Sequence, residues 1–257
     1  MPAPRALILR APGTNCDEET AAAWERAGAA TETLHVGRVL EDPAALDGFG
    51  ALTIPGGFSY GDDLGAGRIL AVQLDALGDA LARFRDRGGL VLGICNGFQV
   101  LVRAGLLPGG DAGPATLTKN DSGHFEGRWT RLAPEPNRRG CPFLDGLDGV
   151  LEMPAAHGEG KFLMARPEDL ELLEAAGQVV LRYVDADGAP TQAYPANPNG
   201  SPRAVAGLCD ATGRVFGLMP HPERHIEGIH HPRWTREGLR DEGDGLRLFR
   251  NAVAAMR

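Results

Sequence analysis

Leu90-Val91-Leu92-Gly93-Ile94-Cys95-Asn96-Gly97-Phe98-Gln99 is the stretch on which the fold turns. Leu90 to Ile94 is an unbroken apolar run of strand length, the pattern of a strand covered on both faces of a parallel sheet. Asn96 to Arg103 reads as a helix, with Gly105 as its stop signal. A strand that passes directly into a helix with one cysteine at the junction is an elbow. The junction residue is forced into a strained backbone conformation, and Gly93 and Gly97 relieve the crowding around it. In an open α/β sheet this geometry points the side chain off the carboxyl edge, where ligands bind. It also sets the sulfur at a helix N-terminus, where backbone N–H groups and the helix dipole favour an anionic sulfur and can hold an oxyanion. The competing reading is a buried cysteine packed as a small apolar residue. The G-x-C-x-G setting favours the nucleophile.

Working outward, the first strand is expected at Ala6 to Leu9, closed by Ala11-Pro12-Gly13. Thr14 or Asn15 is the expected cap of a helix starting near Asp17, with Asp17, Glu18 and Glu19 in its first turn and Gly28 as its stop. Thr31 to Val36 reads as a second strand. Ala51 to Ile54 reads as a third, ending in Pro55-Gly56-Gly57. Ile69 to Arg87 has the apolar spacing of one long helix, with Leu70, Leu74, Leu77, Leu81 and Phe84 on one side. This β–α alternation predicts an α/β fold built on a mostly parallel, doubly wound sheet flanked by helices. The second half differs. Val179 to Val184, Val205 to Leu208 and Val215 to Leu218 read as strands, the last two joined by the turn Asp210-Ala211-Thr212-Gly213, and they predict an antiparallel extension. Leu246 to Met256 reads as a terminal amphipathic helix. Asn137 to Gly140 and Tyr194 to Pro202 are the expected long loops, and residues 1–257 are expected to form one domain.

The composition excludes several classes. The 257 residues carry a net charge of −8 with histidine neutral, so no general attraction to nucleic acid or anionic membranes is expected. No apolar run approaches the roughly 20 residues needed to span a bilayer. The opening MPAPRALILRAPG is too soon interrupted by proline and glycine to be a signal peptide, so a cytoplasmic location is expected. Cys16, Cys95, Cys141 and Cys209 are widely spread without a C-x-x-C pair, which points to reduced thiols rather than a disulfide framework or zinc site. The N-x-S sequons at Asn120 and Asn199 read as chance matches.

A cysteine nucleophile needs a base. Of seven histidines, His221 in Gly217-Leu218-Met219-Pro220-His221-Pro222-Glu223 is best placed, because it follows a strand and should share the sheet edge. Glu223 can orient and charge-stabilise its imidazole, and the flanking prolines restrict the backbone. On spacing alone, a solvent-facing histidine in a proline-rich loop competes equally. His221 and His225, with His230 or His231, would make a metal site only on a helix, and no cysteine or carboxylate is obviously poised to complete it; no metal is expected. The glycine-rich exit Ile54-Pro55-Gly56-Gly57-Phe58 offers the Gly57 N–H, and the elbow offers the Asn96 N–H, as a pair of oxyanion donors. A simple turn is the alternative. Gly65-Ala66-Gly67 lacks the third glycine of a dinucleotide fingerprint.

The segments PGGFSYGDDL, LGICNGFQ, NDSGHFEGRW, AAHGEG, YPANPNGSP with VAGLCD, and LMPHPER run from Pro55 to Arg224. Together they resemble the glutamine amidotransferase subunits of phosphoribosylformylglycinamidine synthase, within the class I, triad-type amidotransferases. The resemblance implies that Cys95 is the nucleophile, His221 the base and Glu223 its partner. It implies that Gly57 and Asn96 hold the oxyanion, that Gln99 lies near the nucleophile on the substrate side, and that His157 and Glu159 of AHGEG lie at the site mouth or at a synthetase interface. It implies that glutamine is the substrate and that the partner is a separate synthetase subunit, with room for a small accessory subunit. The chain has no phosphate-binding loop, so no cofactor is expected in it; ATP and Mg are expected on the synthetase. The segment Ile226 to Asp244 is longer than in the compact separate subunits. The alternatives are another cysteine-elbow hydrolase or peptidase on the same sheet, and a non-catalytic subunit that only supports a synthetase.

Overall fold

The structure, a computed structural model, describes residues 3–110, 113–138 and 140–257. The first half alternates strand and helix. β1 (Arg5–Arg10) buries Ala6 through Leu9 and leads to α1 (Asp17–Ala27), whose acidic first turn suits the positive end of the helix dipole. Gly28 ends α1 in the left-handed region at φ 99°. β2 (Ala30–His35), α2 (Val36–Glu41) and β3 (Ala51–Ile54) follow, then α3 (Arg68–Asp75), α4 (Gly78–Asp86), β4 (Leu90–Ile94) and α5 (Asn96–Arg103). β2, β1, β3 and β4 lie side by side and parallel. β3 and β4 are buried along their whole length, which is why they read as continuous apolar runs rather than alternating ones.

The second half supplies β5 (Ala115–Thr118), β6 (Glu126–Pro134), β7 (Leu151–His157), β8 (Lys161–Met164), α6 (Asp169–Ala175), β9 (Val179–Tyr183), β10 (Val205–Cys209), β11 (Val215–Leu218), the short α7 (Trp234–Glu237) and α8 (Leu246–Ala255). β11 pairs with β4 in parallel, and the sheet then turns antiparallel through β10, β9, β6 and β7. The nine-stranded order is β2-β1-β3-β4-β11-β10-β9-β6-β7, with β5 and β8 forming a separate antiparallel pair. The mostly parallel sheet with an antiparallel second half is the architecture that the sequence predicts. α8 packs on α1, where Trp24 and Phe249 meet edge to face at 5.4 Å. The Trp24 indole donates to Thr53 Oγ1 at 2.9 Å, which satisfies the polar end of a fully buried ring.

Several boundaries differ from expectation. The helix expected over Ile69 to Arg87 is two helices, and Gly78, a poor residue for a helix interior, opens the second. Leu70, Leu74, Leu77, Leu81 and Phe84 are nonetheless all buried, so the apolar stripe survives the break. The cap of α1 is Cys16 rather than Thr14 or Asn15; the Thr14 hydroxyl instead accepts from the Ala11 N–H at 3.1 Å. β6 and β7 escape the sequence reading because β6 mixes Glu126, Arg128 and Arg131 among its apolar residues, and β7 holds Pro154. A proline is tolerated there because β7 is the sheet's edge strand. Of the loop expected at Asn137 to Gly140, Arg139 lies outside the described residues.

The glycines of the elbow are demanded by contact. A Cβ on Gly97 would overlap the Ile54 carbonyl oxygen, and one on Gly93 would lie 2.7 Å from the Gly97 carbonyl oxygen. α5 therefore lies directly against the exit of β3. Gly97→Ala is expected to cost about 3 kcal/mol or more in denaturant titration, as overpacking against backbone does. Gly78→Ala, where a Cβ meets nothing within 4 Å, should stay within about 1 kcal/mol of the parent. Equal stability of the two variants would rule out the close approach of α5 to β3.

Candidate active site

Three neighbouring strand ends build the site. β4 ends at Cys95, β3 on one side ends in Pro55-Gly56-Gly57, and β11 on the other leads to His221. Cys95 stands at φ 49°, ψ −103°, a conformation that costs a non-glycine residue on the order of 1–3 kcal/mol and needs the surrounding structure to hold it. Its N–H donates to the Leu218 carbonyl at 2.8 Å, which ties the elbow to β11. Its thiol faces the Ala156 carbonyl at 3.5 Å. Cys95 is the N-cap residue of α5 and makes no side-chain cap hydrogen bond, and Asn96, the first residue of that helix, has no carbonyl one turn back to receive its N–H.

His221 is held by its own N–H, which donates to the Pro154 carbonyl at 2.7 Å. Its Nδ1 lies 2.6 Å from Glu223 Oε1. A carboxylate only accepts, so Nδ1 carries the proton and Nε2 faces inward without a hydrogen bond among the described residues. Both side chains are buried. Burial alone would lower the His221 pKa, but the Glu223 carboxylate and a negative Cys95 sulfur outweigh it, and the net shift is well above the ordinary value. The pair favours an imidazolium with a proton to give.

The loop after β3 lies against the same ring. A Cβ on Gly56 would come within 2.7 Å of His221 Cε1 and 3.0 Å of Cys16 Sγ. Gly57 takes φ 142°, and a Cβ there would meet the Asn15 nitrogen and the Gly13 carbonyl oxygen at 2.8 Å. The Asn96 side chain pins the loop: its Oδ1 accepts from the Ser59 N–H at 3.2 Å, and its Nδ2 donates to Asp62 at 3.2 Å and to Gln99 Oε1 at 3.0 Å. Gln99 passes the connection on, donating to the Glu159 carbonyl at 2.5 Å. Both ends of the Gln99 amide are thus engaged within the protein. Glu159 lies 3.4 Å from the Ala66 N–H and 3.7 Å from the Arg103 guanidinium, so it holds the loop to the far side of the site. Asp62, half-buried, has its carboxyl pushed up by desolvation.

His157 lies elsewhere than expected. It is 2% exposed, so it cannot form part of a mouth or an interface surface; β7 turns its ring inward and leaves Ala156 beside Cys95. Asn120 and Asn199, the two sequon residues, are buried within the same region. Asn199 Nδ2 donates to the Tyr183 hydroxyl at 3.1 Å, and its Oδ1 accepts from Ser201.

Two residues near the triad-like set were not singled out by the sequence reading. Cys16 lies near the His221 ring, and burial pushes its thiol pKa up. Arg224 Nη2 lies 3.1 Å from Cys16 Sγ, and its Nε donates to Glu19 at 2.7 Å, which fastens the histidine loop to the start of α1. The available signal was positional: Cys16 follows the exit of β1, at the same sheet edge. Donor atoms of Cys16, Glu19, His221 and Glu223 lie within 4.8 Å of one another, as do those of Glu152, His231 and Glu237. In each group a guanidinium, Arg224 or Arg233, already bonds two of the donors. His225 does not join His221; its Nδ1 bonds the Glu152 carbonyl at 2.6 Å, and its ring meets Trp129.

A thiol on a strained elbow, a histidine paired to a buried carboxylate and two amides at strand and helix ends form a constellation suited to acyl transfer through a thioester. The family model for the CobB/CobQ-like glutamine amidotransferase domain matches residues 3–255. The chain belongs to the CobB/CobQ-like glutamine amidotransferase family. This amidotransferase is 52% identical over 252 residues to the phosphoribosylformylglycinamidine synthase subunit PurQ of Dehalococcoides mccartyi, covering 97% of the chain and 96% of the relative. It is 40% identical over 267 residues to the protein of the same description from Archaeoglobus fulgidus, covering 97% and 96%. The structure of PurLQS from Thermotoga maritima contains a chain matched at a TM-score of 0.75 and 30% identity, over 100% of both chains. A glutamine amidotransferase of Methylobacillus flagellatus, at a TM-score of 0.53 and 18% identity over 100% and 94%, shares the fold. Among the described residues, no helix of the amidotransferase is long and apolar enough to cross a membrane.

Proposed function

We propose that the chain is the glutaminase subunit of phosphoribosylformylglycinamidine synthase, a single-domain cytoplasmic protein that passes ammonia to a separate synthetase. The observation that carries this reading is the elbow cysteine beside a buried His221–Glu223 pair, in a chain matched almost end to end by relatives so described. The Cys95 sulfur attacks the carboxamide carbon of glutamine, and the carbonyl electron pair moves to oxygen, where the Gly57 and Asn96 N–H groups hold the charge. As the tetrahedral centre collapses, His221 gives its proton to the departing nitrogen, and ammonia leaves a glutamyl thioester. His221 then takes a proton from the attacking water, the C–S bond breaks, and glutamate is released with Cys95 restored. Asn96, Gln99 and Glu159 hold the oxyanion loop in place. The chain needs no cofactor or metal for these steps. ATP, Mg and formylglycinamide ribonucleotide belong to the synthetase, and a small accessory subunit is a further partner.

The test is covalent labelling of the chain in complex with its synthetase by a glutamine-analogue diazoketone, followed by peptide mapping. Label on Cys95 alone, prevented by glutamine, is the expected result. Label spread over Cys16 or Cys141, or none protected by glutamine, would favour a different cysteine hydrolase or a non-catalytic subunit.

A further inference from the structure

The hydrogen bonds around His157 fix its tautomer. Asn120 Nδ2 donates to the carbonyls of His124, at 2.9 Å, and of His157 itself, at 2.8 Å, while Asn120 Oδ1 accepts from the Gly160 N–H at 3.0 Å. The amide therefore has one orientation, and its oxygen is the atom 3.1 Å from His157 Nδ1. Nδ1 must be the protonated nitrogen, so in the neutral ring Nε2 carries a bare lone pair. That nitrogen is buried and has no partner among the described residues. An acceptor left without a donor in an interior is destabilising, and a native structure that keeps one invites a reason.

The position supplies one. His157 follows Ala156, whose carbonyl faces the Cys95 thiol, and the charge of His221 reaches it. We propose that His157 Nε2 is the first acceptor for ammonia leaving Cys95, a way station on the path to the synthetase. Ammonia brings N–H bonds of the kind this buried acceptor lacks. The inference rests on the glutaminase reading above. Burial, aided by the His221 charge, holds His157 down to a pKa of about 4, so at neutral pH Nε2 carries no proton to pass to ammonia, which stays in its nucleophilic form. Asn120 also links the ring outward: its bond to the His124 carbonyl reaches a surface turn next to Phe125, 56% exposed and 6.5 Å from the exposed Phe58 ring. Gly160 packs on the ring and fixes its place, since a Cβ there would overlap His157 Cε1.

The experiment measures glutamate formed per amidine product in the chain–synthetase complex, beside ammonia-dependent synthesis as a check on assembly. His157→Asn keeps an N–H for Asn120 and deletes the acceptor. It is expected to raise glutamate per product at least twofold, with the KM for glutamine and ammonia-dependent synthesis unchanged. His157→Gln, which can set an amide oxygen near the place of Nε2, is expected to restore most of the coupling, and it provides an independent reading should the asparagine variant fail to assemble. An unchanged ratio in both variants would overturn the proposal. So would a raised KM at an intact ratio, which would make Nε2 a substrate contact. Absence of glutamate formation by the unaltered complex would sink the glutaminase reading itself, and the way station with it.

Discussion

Cys95→Ala is expected to remove glutamine-dependent synthesis by the reconstituted complex while leaving ammonia-dependent synthesis near the parent rate. The loss should be about 10⁴-fold or more, because the covalent route has no second nucleophile and the remaining groups offer only binding and oxyanion stabilisation. Cys16 is the residue that could contradict this, since it too lies near the His221 ring. Two features argue against its substituting for Cys95. The Cys16 thiol donates to Asn15 Oδ1 at 3.2 Å, and burial raises its pKa. Cys16 also lacks the elbow: it precedes α1 at φ −106°, an ordinary conformation, whereas Cys95 is held at φ 49°. The assay follows glutamate release and amidine formation separately, with glutamine and then ammonium chloride as nitrogen source. Equal loss of both activities would place Cys95 in the scaffold of the complex rather than in glutamine chemistry. Residual glutaminase that vanishes only on adding Cys16→Ala would make Cys16 a second nucleophile.

The parallel half of the fold is legible because its strands are short, buried on both faces and punctuated by glycine and proline. Leu90 to Ile94 and Ala51 to Ile54 could be little else, and the elbow followed from them. β6 and β7 are not legible. Arg128 and Arg131 in β6 spend their charges on partners distant in sequence or on the strand's own neighbours, such as Glu126, Glu152 and the carbonyls of Asp185 and Ala186, and no local pattern announces those partners. The site divides in the same way. Cys95 stands out because it follows a buried strand at a glycine-flanked junction, whereas for His221 and Glu223 a proline-rich surface loop competes equally on spacing alone, and the resemblance singles them out. Cys16, Arg224 and the Asn120–His157 pair are assembled by tertiary contact: Arg224 meets Glu19 across 205 positions of chain, and Asn120 meets His157 across 37. His157, which the resemblance implies at the site mouth or a synthetase interface, instead ends a strand whose alternate residues face the core.

Glu223→Gln isolates what the carboxylate does for His221. The amide can still accept from the Nδ1–H, so the ring keeps its orientation, but the negative charge is gone. Turnover of glutamine in the complex is expected to fall by up to about 10⁴-fold, the magnitude seen when the orienting carboxylate of a serine triad is neutralised. The pH profile carries the sharper test. His221 works as an acid when ammonia departs, so turnover requires the imidazolium, persists below its pKa in the complex and is lost as the pH rises through it. Glu223 and the Cys95 sulfur raise that pKa against the opposing effect of burial. Removing the Glu223 charge leaves burial less opposed, the pKa falls, and the alkaline limb of the kcat profile must move to lower pH. A limb that stays in place would show that another group sets it and that Glu223 serves His221 by orientation alone. A limb that moves upward would contradict the electrostatic argument outright, because no rearrangement of a neutral amide in this buried position supplies the charge that Glu223 brings.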